Sequence, residues 1–76
     1  MVKEFTYEIK EHFGTISETG SLVMELNAIS YSGAAPKYDL RKWRTVDGQK
    51  KMQKGVTMTR EELLSLRDLL NSMEEI

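Results

Sequence analysis

Nothing in this chain can staple it. Its 76 residues include no cysteine, and His12 is the sole histidine. Disulfides, thiolate metal sites and histidine clusters are therefore excluded, and neither a metal nor another cofactor is expected. A chain of this length makes one domain, spanning 1–76, and buries only about 60% of its unfolded surface. Its own core is marginal, and oligomerisation is the remaining common way to stabilise it. It has no apolar run of the roughly 18 residues needed to cross a bilayer. Met1-Val2-Lys3-Glu4 lacks the apolar core of a secretory signal. The expectation is a cytoplasmic, nucleoid-associated protein with no membrane partner.

The hydropathy pattern reads as four strands and one helix. Residues 3–13 alternate, with Phe5, Tyr7 and Ile9 on one side and Glu4, Thr6, Glu8 and Lys10 on the other. Gly14 interrupts the pattern and marks a bend or bulge. Glu18-Thr19-Gly20-Ser21 reads as a turn. Residues 22–31 form the second strand, with Leu22, Met24, Leu26 and Ala28 on one face and Val23, Glu25, Asn27, Ile29 and Tyr31 on the other. A loop through Pro36 leads to a third strand at 37–46, where Tyr38 and Leu40 face inward and Lys37, Asp39, Arg41 and Trp43 face outward. Asp47-Gly48 is a hairpin signal. The fourth strand, about 51–58, places Met52, Val56 and Met58 in one register, and Gly55 predicts a bulge that re-aims Lys54.

Residues 59–75 have helical period. Thr59 and Glu62 have capping-box spacing, with Glu61 and Glu62 at the positive end of the dipole. Leu63, Leu66, Leu69, Leu70 and Met73 form a broad apolar stripe, and Leu64 lies outside it. One small sheet does not need so wide a stripe. The expected fold class is α+β: a curved four-stranded antiparallel sheet followed by one C-terminal helix. Two copies pair through Leu63, Leu66, Leu70 and Met73, two-fold pairing being the commonest solution.

The net charge is −1, but its distribution is uneven. Lys37, Arg41, Lys42, Arg44, Lys50, Lys51 and Lys54 face only Asp39 and Asp47 within 37–54, seven positive charges against two negative, which leaves +5 there and −6 elsewhere. Local potential governs what a face attracts. Taken on charge alone, such a run is more often a solvated face. Trp43 and Tyr31 shift that balance, because large aromatics beside cations on an open sheet suit base stacking. This reading expects Trp43 and Tyr31 to be exposed. The nucleic-acid-binding set is Tyr31, Lys37, Arg41, Trp43, Arg44, Lys51 and Lys54. No catalytic constellation is visible: His12 lacks a partner on the polar side of strand one, and the glycines make no phosphate loop.

The run Lys37-Tyr38-Asp39-Leu40-Arg41-Lys42-Trp43, then Asp47-Gly48, Lys54-Gly55-Val56-Thr57-Met58-Thr59 and Glu61-Glu62-Leu63, resembles the transcriptional positive cofactor four family. It is most similar to that family's bacterial YdbC-like branch, over about residues 22–72. The resemblance implies a homodimer with helices meeting centrally. It also implies sequence-independent binding of single-stranded DNA across concave sheets, in transcription regulation, replication or repair. Tyr31 stands at the family's aromatic before the loop, Arg41 at its strand-three arginine, Trp43 at the following aromatic pair and Lys54 at the Lys-Gly step. Arg44 stands where eukaryotic members carry a second aromatic, and Tyr31 where the bacterial branch commonly has tryptophan. RNA is a variant ligand, and transcription or replication proteins are further partners. The competing reading is a protein-interaction module using the same basic face.

Overall fold

The computed structural model describes residues 6–75. Four strands, β1 (Tyr7–Thr19), β2 (Leu22–Tyr31), β3 (Lys37–Val46) and β4 (Gln49–Met58), precede a single helix, α1 (Arg60–Ser72). The strands form one antiparallel sheet in chain order, a meander. Local chemistry closes its connections. Gly20, at φ 59°, starts the two-residue turn between Thr19 and Leu22. Asp47 and Gly48, at φ 51° and 76°, supply the positive pair that a two-residue hairpin requires between Val46 and Gln49.

Strand one departs from the alternation. It runs through Gly14 to Thr19, and three register shifts leave Lys10, Phe13 and Ile16 as extra residues opposite β2. The sequence expectation for residues 3–5 lies outside the described residues. Each bulge resets the side-chain period, so Ile9, His12, Thr15 and Glu18 share one face at intervals of three. His12 therefore joins the face of Ile9 rather than the polar side. Phe13 reaches the other face, where its ring lies 5.6 Å from that of Tyr38.

Strand four starts two residues earlier than its apolar pattern implies and carries the bulge that Gly55 predicted. Arg41 pairs with Gly55 and Trp43 with Met52, so Lys42 faces two residues, Gln53 and Lys54. The extra residue also corrects the assumed register of Met52. Met52 shares the face of Trp43, while Val56 and Met58 pair with Leu40 and Tyr38 on the opposite face. Gly55 is a steric necessity. A Cβ there would collide with Arg41 Cβ and stand 2.8 Å from the Leu40 carbonyl oxygen.

The helix begins as its sequence dictates. The Thr59 hydroxyl accepts from the Glu62 amide at 3.1 Å, and the Glu62 carboxylate accepts from the Thr59 amide at 2.8 Å. It ends at Ser72, three residues short of the expected end. Leu63, Leu64 and Leu66 are half-buried toward β3 and β4, so Leu64 belongs to the packed stripe after all. Leu69 and Met73 remain 59% and 45% exposed. Leu63, Leu64, Leu66 and Leu70 border an open apolar groove of about 500 Å³, floored by Met24, Leu26, Leu40 and Met58.

The sheet is thus unequally filled. Among the described residues the buried apolar side chains are Ile29 and Trp43, both on the face away from α1. Glu25, Asn27 and Asp39 are buried there as well. These side chains bury one another with no described element laid across them. Alanine at Gly55 should lower the denaturant midpoint by at least the 1–3 kcal/mol typical of overpacking, with an unchanged m-value. Urea melts of G55A beside the parent chain check this.

Candidate nucleic-acid interface

The face away from α1 holds two polar clusters side by side on neighbouring strands, Glu25 being in register with Arg41 and Asn27 with Asp39. The first is built on Asp39 and Arg41, neighbours of like parity on β3. Arg41 Nε donates to Asp39 Oδ1 at 2.6 Å and Nη2 to Oδ2 at 2.6 Å. Nη2 also donates to the Tyr31 hydroxyl at 3.0 Å, and that hydroxyl donates to Asp39 Oδ2 at 2.5 Å. Nη1 donates to the Gln53 carbonyl, in the β4 bulge, at 3.0 Å. Four of the five guanidinium N–H bonds are thereby used. Arg41 joins β2, β3 and β4, and its grip on Gln53 fixes the bulge from which Lys54 projects. The hydrogen bond to Asp39 holds the guanidinium pKa above its ordinary value, despite burial.

The second cluster centres on Glu25 of β2. Lys50 Nζ donates to Glu25 Oε2 at 2.7 Å and Asn27 Nδ2 to Oε1 at 3.2 Å. His12 Nδ1 lies 2.7 Å from Asn27 Oδ1 and 3.8 Å from Glu25 Oε1. Burial pushes the Glu25 pKa up, but the hydrogen bonds from Lys50 and Asn27, with the nearby charges of Lys50 and His12, bring it below the ordinary value. His12, unpartnered in the sequence reading, has a partner across the first strand pair.

Trp43 lies two residues beyond Arg41 on β3, flanked in register by Val23 and Met52. It is 1% exposed, which overturns the expectation of an open indole. Its ring is covered by Tyr7, 5.7 Å away between centroids at 48°, and by Lys50 Nζ, 5.7 Å from the centroid. Tyr31 is half-buried in the Asp39 cluster rather than exposed.

The predicted cations do not share one face. Lys37 is exposed on the side of Trp43, opposite Ile29. Arg44 pairs with Leu22 and Lys51 with Arg44, so both belong to the other side of the sheet. The two-residue parity of β3 already separates position 44 from position 43, and the β4 bulge does the same for Lys51. Lys54 is exposed in the bulge. Among the described residues, Lys37, Lys42, Arg44, Lys51 and Lys54 form no ion pair, so the uncompensated positive charge runs along β3 and β4 and around their hairpin. Arg41 and Lys50 are neutralised by buried acids.

Sequence reasoning missed Tyr7, His12, Glu25, Asn27 and Lys50 as parts of the site. A signal was present: Glu25 and Asn27 share the parity of Ile29 and Tyr31 in the middle of an otherwise apolar strand. Buried polar groups so placed must find hydrogen-bond partners on the adjoining strands.

Burial, then the hydrogen bond to Asp39, raises the Tyr31 pKa from 10.0 to about 12. A raised folded-state pKa gives stability that is present below pH 10 and is lost as pH rises toward 12. Tyr31→Phe should remove a late phenolate step from a spectrophotometric titration and flatten this alkaline loss in pH-dependent melts.

Comparison with known proteins gives two findings. The sequence model of the family described as "Transcriptional Coactivator p15 (PC4)" matches residues 21–69, from the first turn to the third turn of the helix. An uncharacterised protein of Treponema pallidum (strain Nichols) is 48% identical over 71 residues, covering 92% of this chain and 81% of that protein.

Proposed function

The chain belongs to the transcriptional coactivator p15 (PC4) family, and on that premise we propose that a homodimer of it binds single-stranded DNA without sequence preference. The sheet face opposite α1 receives the strand, and the protein acts in transcription, replication or repair with no catalytic step of its own. One observation carries the reading. The indole of Trp43 and the ring of Tyr7 meet on that face, and among the described residues Lys37 on the same face and Lys54 in the β4 bulge are cations free of ion pairs. Aromatic platforms take bases of any identity, each worth roughly 1–3 kcal/mol. Lysines and arginines follow the phosphate chain. A single strand, whose bases are free to unstack, suits such a face better than a duplex.

The dimer reading is supported by the unfilled helix side. The chain exposes 6041 Å², about a quarter more than the roughly 4,800 Å² of a compact chain of its mass. Its radius of gyration is 14.3 Å where about 11.4 Å is usual for this length. The excess coincides with the open apolar groove and the exposed Leu69, Leu70 and Met73. A second copy, with helix against helix, covers this surface through Leu63, Leu66, Leu70 and Met73.

Fluorescence anisotropy with a labelled thymidine oligonucleotide and with a duplex should show tighter single-strand binding. The affinity should fall with salt at a log–log slope of about −0.7 per phosphate neutralised. Replacing both Lys37 and Lys54 with alanine should reduce that slope by about 1.4. No single-strand binding, with capture of an acidic peptide instead, would favour a protein-interaction module. Equal or tighter binding of the matched RNA would make RNA the ligand.

Sedimentation should give a species of twice 8.8 kDa. Leu70→Glu should shift it to the monomer and lower the melting temperature, whereas a stable micromolar monomer in the parent chain would remove the dimer.

A further inference from the structure

The cover over Trp43 has a specific construction. Lys50 is on β4, Glu25 on β2, and Trp43 on the strand between them. In register Lys50 stands opposite Thr45 and Glu25 opposite Arg41, one on each side of Trp43 along β3. The Lys50–Glu25 ion pair, 2.7 Å long, therefore crosses β3 diagonally, with its ammonium 5.7 Å from the indole centroid. That is within cation–π range. Tyr7 approaches the indole too closely, and at too steep a tilt, for a base to enter between the two rings. The lysine occupies ring surface that a base would need. The Trp43 Nε1–H is buried with no hydrogen-bond partner among the described residues, so closure leaves it unsatisfied by them.

We propose that Lys50 is a gate on the Trp43 platform, held shut by Glu25 and opened by the phosphate of the incoming strand. This rests on the single-strand reading given above. The chemistry is a competition for one ammonium. A phosphate beside the β3–β4 hairpin attracts Lys50 away from the carboxylate, and a base then takes its place on the indole. Asn27 remains as a hydrogen-bond partner for Glu25, with His12 Nδ1 3.8 Å from its carboxylate. A nucleobase without phosphate must break the ion pair unaided. A duplex opens the gate but has no free base to stack. Lys50 thus determines specificity by coupling stacking to phosphate, in addition to its charge.

The test uses the full chain and its single tryptophan. Acrylamide should quench Trp43 weakly in the parent protein. It should quench several-fold more strongly in Lys50→Ala and in Glu25→Gln, each checked for folding by circular dichroism. Lys50 is half-exposed and Glu25→Gln preserves shape, so at least one variant is expected to fold. An abasic oligonucleotide, which offers phosphates without bases, should raise acrylamide access in the parent chain. A thymidine oligonucleotide of equal length should quench the emission directly. Quenching in both folded variants equal to that of the parent would overturn the gate. So would an abasic strand that binds by anisotropy yet leaves Trp43 protected. No anisotropy change with any single strand would instead overturn the single-strand reading, and the gate with it.

Discussion

The bidentate pair between Arg41 and Asp39 holds the geometry on which the rest of this face depends. Its value is in specification more than in stability. Burying an ion pair costs desolvation that its attraction barely offsets, but removing one partner leaves a stranded charge. Here the guanidinium also grips the Tyr31 hydroxyl and the Gln53 carbonyl, so one side chain sets the relative positions of three strands. The Arg41 backbone and Cβ lie so close to β4 that only glycine fits at position 55. The bulge that follows turns Met52 toward Trp43 and leaves Lys54 in solvent. The Arg-x-Trp and Lys-Gly elements of the sequence are two halves of one contact.

The two faces of the sheet divide the work. The face away from the helix is finished within a single chain, because its long polar side chains satisfy and bury one another. The helix face is not finished. Its apolar residues are half-covered by α1, and an apolar groove stays open between the helix and the sheet. A short chain without cysteines has no means of closing that surface alone, which connects the missing staple to the proposed dimer. The same division explains how an overall acidic protein can present a basic strip: Asp39 and Glu25 are consumed internally, and the unpaired lysines lie along β3 and β4.

Much of the fold was legible in the residues. The alternation of β2 and β3, the Asp47-Gly48 hairpin and the Thr59–Glu62 capping box all rest on local chemistry, and each is found where its residues stand. The errors cluster where register depends on a neighbour. Period-two counting put His12 on the polar side and Met52 with Val56, but bulges in β1 and β4 reversed both. Arg44 and Lys51 were grouped with Trp43 by nearness in sequence, although adjacent positions in a strand point to opposite faces. The parity of Trp43 carries charge, which by itself points to an open indole. It is closed because the charged neighbours lie over it.

The sequence by itself determined the elements, their order, their turns and the positions where only glycine is tolerated. These depend on backbone dihedrals, capping hydrogen bonds and short-range sterics, which act over a few residues. Only the tertiary structure decided which cations are free and which are spent, that the indole is covered, and that one ion pair spans three strands. Those outcomes depend on long side chains meeting across several strands, between residues as distant as Glu25 and Lys50, and a pattern read along one strand carries no record of what the next strand but one brings over it.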